Sequence, residues 1–499
     1  MMKLLVVIAS YGRKNDSYLE RILSEYRTMP YRIDFVLLSN INKELGKDVE
    51  VITGLPTRNP HSLPFGHRRI FAERKDAYDL FVYSEDDILI TQRNIEAFLR
   101  ATAILPPQEL AGFFRWEQYP DGRRYYPDAH IFYRWAPGSV RVIGDHTFAR
   151  FTNDHSGCYV LTRDQLARAI ASGGFLVPPH EHKYGLLETA ATDPYAQCGF
   201  KKVICLSHFE DFMVPHLPNK YIGSPLGVDA LEFSKQVETL LHPRQDPYAH
   251  GSLLEPETKI FHCRWSKNYY EPCRADLIGM FPPGTRDVLS IGCGWGETEA
   301  ELGRKGIRVT AIALDSVIAA CAESRGVRVV YGNLENAMAQ LRGRRFDGVL
   351  ISGVLHLLED PIKALRYASS LLAEGGVLVA TIPTFYRLPF LWSWLRHPSR
   401  YQGWRNFQDS GIHPIGRRQV KTWFRNAGLP LERIWYTTPR RWKALVASSG
   451  GLAAAFFSSE YTCFGRRAVS AVRAADLGLT QHSEVEPEMT FVSDRSSNR

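Results

Sequence analysis

The sequence lacks several features that would place it in a class at once. None of its eight cysteines stands in a CxxC pair, which excludes a zinc knuckle and a thioredoxin motif. No stretch reaches the ~20 consecutive apolar residues that span a bilayer, and no segment repeats. The 61 Lys and Arg nearly balance the 53 Asp and Glu. A net charge of +8 on 499 residues argues against a DNA-wrapping protein and fits phosphate-bearing ligands or an acidic membrane surface better.

The composition is that of a globular protein with more than one domain. With 499 residues we expect two to four domains, and 44% hydrophobic residues exclude wholesale disorder, collagen and coiled coil. The scattered cysteines indicate a reducing compartment. The first apolar run, residues 4–9, is too short for a signal peptide and is followed by Arg13 and Lys14. We therefore expect a cytoplasmic protein, with peripheral contact at the inner face of the membrane as an open alternative.

The pattern of apolar segments divides the chain into two α/β domains. Residues 1–240 open with an apolar run, a helical stretch and a second apolar run, the alternation of an α/β fold. Residues 241–269 are rich in Pro, His and aromatic residues and are typical of a linker. The α/β pattern starts again in residues 270–475, which contain an aromatic insert at 385–413. The polar residues 476–499 are predicted to be disordered.

The sharpest motif lies in the second domain, where a buried strand runs into the turn Gly292-Cys293-Gly294-Trp295-Gly296. Glycines are needed there because the chain turns sharply and because a cofactor must approach the backbone without Cβ atoms in the way. The helix predicted over 297–304 then offers unpaired N–H groups and the positive end of its dipole. A glycine-rich turn alone is weak evidence, since a dinucleotide site would use the same logic.

Residues 270–440 resemble the class I S-adenosylmethionine-dependent methyltransferases. The glycine turn matches the family's first motif, residues 345–352 its fourth strand with the segment 354–361 after it, and residues 371–378 its fifth strand. Residues 419–428 resemble the family's last helix. The resemblance implies a Rossmann-like fold and S-adenosylmethionine (SAM) as cofactor. It also implies cofactor contacts from Ile291, Gly292, Cys293, Gly294, Gly296, Asp315, Asn333 and Ser352.

Several positions depart from the family pattern. Ser290 stands where the first strand usually carries an acid, and Ala313 where the second strand usually ends in the acid that pairs with the ribose hydroxyls. Asp315, two residues later, is the substitute that the resemblance offers. Asn333 stands where an Asp often contacts the adenine, and its amide oxygen can still accept a hydrogen bond. A degenerate fold that no longer binds the cofactor stays an alternative.

The segment after the fourth strand indicates which kind of chemical group is methylated. It reads SGVLHLL rather than the (N/D)PP(Y/F) motif of enzymes that methylate amino groups in nucleic acids, which disfavours base methylation. Transfer to a hydroxyl needs alignment and usually a base, for which His356 and His413 are available, although His356 is equally compatible with a packing role. The insert 385–413 is predicted to cover the acceptor, because aromatic faces stack on sugars and arginines bind phosphates. The same composition suits a helix on an anionic membrane.

The first domain carries an acidic cluster at the end of a strand. An apolar run, residues 80–83, leads through Ser84 into Glu85-Asp86-Asp87. Burying three carboxylates is costly unless a cation neutralises them. Oxygen ligands favour Mn²⁺ or Mg²⁺ over zinc, and such a metal would stabilise a departing diphosphate. A solvated acidic turn explains a single triplet of this kind equally well.

Residues 1–240 resemble the GT-A-type glycosyltransferases, whose metal motif is an acid-x-Asp at the end of a strand. The resemblance implies a GT-A-like nucleotide-sugar-binding fold, with metal ligation by Asp87 and by the late His216. Its candidates for a catalytic base are Glu188, Asp193 and Asp154. Contacts to the nucleotide-sugar are implied for Ser10, Tyr11, Arg13, Arg68, Glu85 and Asp86.

These observations lead to a bifunctional hypothesis. The first domain would transfer a sugar from a nucleotide-sugar donor to a glycan or lipid-linked glycan acceptor, and the second would methylate a hydroxyl of the product, which the fusion keeps at high local concentration. The leading alternative is a SAM-dependent methyltransferase whose N-terminal domain recognises a glycan or nucleotide without catalysis. A nucleic-acid methyltransferase has only the charge of +8 in its favour, so we expect no nucleic-acid partner. A catalytically inactive scaffold is the third alternative.

Overall fold

The computed structural model describes residues 1–129, 131–224, 227–255 and 257–468. The chain divides into two compact units, Met1–Pro243 and a second that begins at Arg244. The segment predicted to be disordered, residues 476–499, lies outside the described residues. None of the helices in the described part of the chain is long and apolar enough to cross a membrane.

The first unit alternates strands and helices in its first half and adds shorter strands in its second. Its strands are β1 (Lys3–Ser10), β2 (Arg32–Ser39), β3 (Val49–Thr53), β4 (Leu80–Glu85), β5 (Glu109–Ala111), β6 (Phe114–Gln118), β7 (Arg124–Tyr126), β8 (Trp135–Ile143), β9 (His146–Phe151), β10 (Cys158–Thr162), β11 (Lys201–Cys205), β12 (Met213–Pro215) and β13 (Val228–Asp229). Its helices are α1 (Asp16–Arg27), α2 (Gly66–Glu73), α3 (Gln92–Ile104), α4 (Arg163–Ala171), α5 (Leu186–Ala196) and α6 (Ala230–Leu241). Short 3₁₀ helices cover Pro60–Phe65 and Phe209–Phe212.

The main sheet of the first unit has the order β10-β4-β1-β2-β3. Strands β1 to β4 are parallel, and β10 runs antiparallel to β4. Strand β1 is buried on both faces from Leu4 to Ala9, so its sequence is a continuous apolar run. From β1 the chain moves to β2 and β3 on one side and then returns to β4 on the other. This reversal between β1 and β4 marks where open α/β sheets bind ligands, beyond the carboxyl ends of the strands.

Two smaller four-stranded sheets, β5-β11-β9-β8 and β12-β6-β7-β13, complete the first unit. An isolated bridge pairs Ile88 with His216. The N–H of Leu217 donates to the carbonyl of Asp87 at 2.9 Å. These contacts bring the segment after β12 against the segment after β4. Residues far apart in sequence therefore share the carboxyl end of the main sheet.

The second unit is a second α/β fold. Its strands are β14 (Asp287–Cys293), β15 (Arg308–Ala313), β16 (Arg328–Val330), β17 (Phe346–Ser352), β18 (Leu372–Pro383), β19 (Leu431–Thr437) and β20 (Glu460–Arg466). Its helices are α7 (Ala275–Ile278), α8 (Glu297–Arg304), α9 (Ser316–Ser324), α10 (Leu334–Gln340), α11 (Pro361–Leu371), α12 (Leu388–Arg396), α13 (Phe407–Ser410), α14 (Arg417–Asn426), α15 (Lys443–Ser448) and α16 (Ala454–Phe457). Short 3₁₀ helices cover Phe261–Cys263, Leu355–Leu357, Pro398–Tyr401 and Arg440–Trp442.

The strands of the second unit form one sheet of order β16-β15-β14-β17-β18-β20-β19. Strands β14 to β18 are parallel, and β20 is antiparallel to both of its neighbours. The winding reverses between β14 and β17, so the turn after β14 faces the segment after β17 at one edge. The predicted Rossmann-like fold of the C-terminal part is confirmed.

The expected linker, residues 241–269, belongs to the second unit from Arg244 onward. Leu253, Ile260 and Tyr269 are buried in the same apolar core as Ile291 of β14. The N–H of Leu253 donates to the carbonyl of Leu314 at 2.9 Å, just beyond β15. The segment inserts its apolar side chains singly from irregular backbone, which is why it has neither the helical nor the strand period.

Candidate functional site

The glycine-rich turn after β14 is shaped by steric limits at three positions. Gly292 and Gly296 have φ of 85° and 89°, the left-handed region that other residues rarely adopt. A Cβ on Gly294 would lie 2.2 Å from the carbonyl oxygen of Tyr269. The turn therefore tolerates only glycine where it passes this backbone. It leads into the N-terminus of α8, whose first N–H groups lack partners within the helix.

The segment before β14 holds this turn in place. The backbone N–H of Trp295 donates to the carbonyl of Tyr269 at 2.9 Å, and its indole N–H donates to the carbonyl of Glu271 at 2.8 Å. The Glu271 carboxylate accepts from Lys267 at 2.5 Å and from the hydroxyl of Ser352 at 3.0 Å. Glu271 thereby ties the segment before β14 to the end of β17.

Electrostatics keep Glu271 ionised. Burial raises its pKa, but Lys267 and Arg274 outweigh burial and lower the pKa to about 2. Sequence reasoning missed all three residues, since Lys267 fell in the expected linker and the other two lay outside any motif. The charges at 267, 271 and 274, spaced four and three residues apart, were the available signal.

Comparison with known proteins shows which family the second unit resembles. A family model described as a methyltransferase domain matches residues 264–434. A ubiquinone biosynthesis O-methyltransferase of Xanthomonas axonopodis pv. citri is 32% identical over 177 residues, which are 33% of this chain and 71% of that relative. The chain belongs to the methyltransferase family.

Two further proteins show the same similarity. An uncharacterized methyltransferase of Mycobacterium bovis is 32% identical over 116 residues, or 23% of this chain and 58% of its own length. The crystal structure of a SAM-dependent methyltransferase from Archaeoglobus fulgidus covers 38% of this chain and 89% of its own, with 18% identity and a TM-score of 0.30. The residues matched by the family model all lie within the second unit, which is therefore called the methyltransferase unit.

The methyltransferase unit supplies the acid that its first strand lacks. Ser290 on β14 donates its hydroxyl hydrogen to Oε1 of Glu299 at 2.6 Å, and both residues are buried. Glu299 belongs to the first turn of α8. Burial raises the pKa of the neighbouring Cys293 thiol well above its usual value, and Glu299 raises it further. A carboxylate is therefore present beside β14, but it comes from the helix that follows the glycine turn.

The structure uses Asp315 and Asn333 differently from the expected ribose and adenine contacts. Oδ1 of Asp315 accepts from the N–H of Val317 and Ile318 at 2.9 and 3.0 Å, and Oδ2 accepts from the Tyr269 hydroxyl at 2.7 Å. This buried carboxylate is an N-cap for α9, and Ala313 beside it offers no acceptor. Asn333 caps α10 through the N–H of Asn336 at 2.9 Å. The glycine turn fits a cofactor that approaches the backbone closely. At the end of β15, however, the described residues include no carboxylate that is exposed for binding the ribose hydroxyls.

His356 follows β17 on the 3₁₀ turn Leu355–Leu357, at the same edge as the glycine turn. Its Nε2–H donates to the carbonyl of Trp265 at 2.8 Å, and its buried Nδ1 has no hydrogen-bond partner among the described residues. Burial lowers the pKa of His356 to about 4, although the Trp265 carbonyl opposes this in part. The imidazole is therefore neutral near pH 7, with an unused lone pair on Nδ1.

The other candidate base, His413, is held differently. Its Nε2 lies 3.0 Å from the carbonyl of Leu358, and its ring stacks on Phe407 with centroids 4.4 Å apart. Burial lowers its pKa as well. Of the two histidines, only His356 is shown with a buried and unused ring nitrogen.

The insert 385–413 divides between core and surface. Trp404 and Tyr401 are buried, and Trp404 packs on Phe390 with ring centroids 4.9 Å apart. A surface groove of about 580 Å³ runs beside them and is lined by Trp394, Tyr401, Trp404 and Arg405, among others. The insert thus combines ordinary packing with an aromatic groove; its role as acceptor cover stays a prediction.

In the first unit the acidic triplet lies where the sheet reverses, beside the end of β1. Ser10 donates to Oδ2 of Asp86 at 2.5 Å, and the amide of Asn15 donates to Oδ1 at 2.7 Å. The buried ammonium of Lys43 donates to Ser10 at 2.7 Å and to Asp16 at 2.6 Å. The hydrogen bonds to the Asp86 carboxylate therefore come from two neutral side chains, and the Lys43 ammonium contacts one of these, Ser10. The sequence analysis did not identify Lys43.

His216 and the other two acids meet at the same point. Nδ1–H of His216 donates to Glu117 at 2.5 Å, and Nε2 lies 3.3 Å from Oδ2 of Asp87. Burial raises the pKa of Glu85 to about 8, with Asp87 and, less strongly, Glu188 adding to the effect. His216 outweighs burial and lowers the pKa of Asp87. Oε1 of Glu85 and Oδ1 of Asp87 are buried and have no hydrogen-bond partner among the described residues, which is rare for polar atoms in folded proteins.

Two residues expected at this site lie elsewhere. Arg68 and Asp193, with side chains 2% and 0% exposed, form a buried ion pair at 2.7 Å. Pro194 has no N–H, which leaves the carbonyl of Ala190 without its helical donor, and Arg68 donates to that carbonyl at 3.1 Å. Arg68 thus completes α5 instead of reaching a diphosphate. The nearby His180 and His182, and less strongly Arg68, outweigh burial and lower the pKa of Asp193 to about 2.

The remaining expected residues stay near the surface. Tyr11 is exposed, and Arg13 faces solvent 3.6 Å from Asp16. Glu188 lies in the first turn of α5, near enough to Glu85 to raise its pKa. Asp154 is partly buried, and burial raises its pKa. The structure therefore groups Ser10, Glu85, Asp86, Asp87, Glu188 and His216, and separates Arg68 and Asp193 from them.

We expect the full chain to bind SAM and Gly294→Ala to weaken that binding at least tenfold. The added Cβ would lie 2.2 Å from the Tyr269 carbonyl oxygen, so backbone must move. Calorimetric titration with SAM measures the effect. The control is Gly303→Ala in α8, where a Cβ meets nothing within 4 Å. Equal affinity in the two variants would contradict the role assigned to the turn.

Proposed function

We propose that the methyltransferase unit transfers a methyl group from SAM to a hydroxyl oxygen. The observation that carries the proposal is the neutral, buried His356, whose unused Nδ1 lies on the segment after β17. The absence of an amino-methylation motif and the likeness to an O-methyltransferase support the same chemistry. When bound, SAM supplies an electrophilic methyl group.

The residues of this chain have three tasks in that reaction. The turn 292–296 and α8 hold the cofactor. Glu271, with Lys267, keeps the turn and the end of β17 together. Nδ1 of His356 accepts the proton of the acceptor hydroxyl, while its Nε2–H stays bonded to the Trp265 carbonyl and stabilises the imidazolium.

The acceptor that fits the surface is a sugar-bearing or lipid-linked molecule. Trp394, Tyr401 and Trp404 line the groove in the insert, and aromatic faces of this kind stack on sugar rings. Helix α12 exposes Leu388, Trp392 and Leu395 to 45%, 55% and 71%. These positions lie on one helical face. A membrane-borne acceptor would be reached from such a face.

For the first unit we infer binding of a nucleotide-sugar with a divalent cation, Mn²⁺ or Mg²⁺. Two buried carboxylate oxygens without partners, on Glu85 and Asp87, support a cation there. Glu117 fixes the proton of His216 on Nδ1, and Nε2 faces Oδ2 of Asp87 at 3.3 Å, so a metal ion would be bound by both. Ser10 ends β1, Tyr11 and Arg13 follow it, and we assign all three to the nucleotide.

In the first unit, Glu188 would be the base that takes the proton of the acceptor hydroxyl. The departing nucleoside diphosphate would be stabilised by the cation at Asp87 and His216. A recognition module without catalysis is the alternative, and it would bind glycan or nucleotide without needing a metal. Arg68 and Asp193 take no part, because they are paired with each other.

His356→Asn is expected to lower methyl transfer about 100-fold while the affinity for SAM stays the same, because only proton acceptance is lost. The folded-state pKa of about 4 lies below the ordinary value, so the base is neutral at pH 7. The rate should hold from pH 8 to about 5 and fall as the pH drops through about 4. Transfer of labelled methyl to phenolic and sugar hydroxyls measures both effects. His413→Asn is the control; a larger loss there than in His356→Asn would reverse the assignment.

Asp87→Asn is expected to abolish the metal dependence of nucleotide binding, since a carboxylate ligand is replaced by a neutral amide. The measurement is calorimetric titration with UDP, GDP, CDP and TDP, with and without Mn²⁺. Asp121→Asn is the control, because its side chain is 54% exposed and already pairs with Arg123. Nucleotide binding that ignores both Mn²⁺ and the Asp87 substitution would favour a recognition module instead.

Trp392→Ser combined with Leu395→Ser is expected to reduce binding to vesicles that contain anionic phospholipid at least fivefold. The reason is that the double variant loses the apolar side chains of α12 that would be buried in the lipid. Arg396 and Arg405 are exposed and would meet the lipid phosphates. Co-sedimentation with phosphatidylglycerol vesicles measures binding, and neutral phosphatidylcholine vesicles are the reference. Val142→Ser, also exposed but in the first unit, is the matched control. Sedimentation that is equal for all variants would remove membrane contact from the proposal.

A further inference from the structure

A cluster of two histidines and one aspartate in the first unit has no part in the proposed function. His180 and His182 stand in the loop between α4 and α5, and Asp193 stands on α5. Oδ1 of Asp193 lies 3.5 Å from Nε2 of His180 and 3.8 Å from Nε2 of His182. The three atoms all lie within 4.8 Å of one another.

These atoms face one another without hydrogen bonds. Both Nε2 atoms and Oδ1 of Asp193 are buried and have no hydrogen-bond partner in the part of the chain that the structure describes. Nδ1 of His180 lies 3.0 Å from the carbonyl oxygen of Pro178 and so carries the ring hydrogen, which leaves the lone pair on Nε2. Histidines that bind metals are commonly held by such a hydrogen bond.

The local sequence explains why the side chains converge. Pro178 and Pro179 favour extended backbone before the histidines. Side chains two residues apart in extended backbone point to the same side, which brings His180 and His182 together. Arg68 holds Oδ2 of Asp193 at 2.7 Å, and the remaining oxygen is turned to the imidazoles.

We propose that His180, His182 and Asp193 bind one Zn²⁺ ion and leave a fourth position open. With bonds of about 2.1 Å, tetrahedral ligands are about 3.4 Å apart, whereas octahedral neighbours are about 3.0 Å apart. The observed 3.5 and 3.8 Å match the tetrahedral arrangement better. Two imidazoles and one carboxylate also form a ligand set of catalytic zinc sites.

The charge around the cluster selects the kind of metal. The positive charge of Arg68 neutralises the negative charge of Asp193, so the electrostatic attraction of the site for a cation is weak. Binding must then come from bonds to nitrogen, which favours Zn²⁺ over Mg²⁺ or Ca²⁺. The two histidine side chains are each 29% exposed, which gives the ion a path from solvent. The site thus differs in metal and ligands from the carboxylate cluster at Asp87.

The test uses the full chain without an affinity tag, stripped with chelator and titrated with Zn²⁺ against a fluorescent zinc indicator. About one ion per chain is expected, and a large excess of Mg²⁺ should not displace it. His182→Ala and His180→Gln should each weaken binding at least tenfold. His208→Ala should not, although His208 belongs to a second, more exposed group with Asp145 and His146.

A measurement on the unaltered chain guards against variants that fail to fold. Replacing Zn²⁺ by Co²⁺ should produce the visible absorption bands of tetrahedral cobalt, and added Zn²⁺ should remove them. Absence of zinc binding in the wild type would overturn the proposal, because a protonated His180 paired with Asp193 would then account for the cluster. Undiminished binding in both histidine variants, or loss in His208→Ala alone, would also overturn it. Asp87→Asn should leave zinc binding unchanged, because Asp87 is not one of the three proposed zinc ligands.

Discussion

In both units, parallel strands at the centre of the sheet are buried on both faces. Backbone groups of these strands are satisfied within the sheet, and their side chains are apolar, as in β1 and β14. Polar side chains gather at the carboxyl edge, where the strands stop and the winding reverses. Ser10 with Asp86 in one unit, and the glycine turn with Ser352 in the other, stand at that reversal. The positions of the acidic triplet and of the glycine turn depend on this constraint.

Buried carboxylates separate into those with partners and those without. Glu271 has Lys267 and Arg274, and Asp315 has two backbone N–H groups and a tyrosine hydroxyl. These groups are structurally complete, and removing a partner would leave a buried charge unpaired. Glu85 and Asp87 keep oxygens that the described residues do not satisfy. This contrast, more than the number of acids, singles out the places where a ligand is expected.

Sequence patterns predicted the parts of the structure that depend on short-range order. The strands of the second unit, the glycine turn and the placement of the acidic triplet after a strand follow from apolar runs and from the steric needs of glycine. Long-range pairing was beyond such patterns. The ion pair of Arg68 with Asp193, the Glu299 carboxylate beside Ser290 and the Glu271 network join residues with no common motif.

The sequence by itself determined that the chain holds two α/β units, that the second carries a SAM-type glycine turn and that the first ends a strand in three acids. These features are local, since they depend on residue size, apolar period and charge over a few positions. Only the tertiary structure decided what each polar side chain contacts. It made Asp315 a helix cap, made Asp193 the partner of Arg68 and set His180 and His182 against its second oxygen. Folding brings residues that are distant in sequence within a few ångströms of one another. Because an unpaired charge is costly to bury, the role of each polar residue depends on the partners that the fold places beside it.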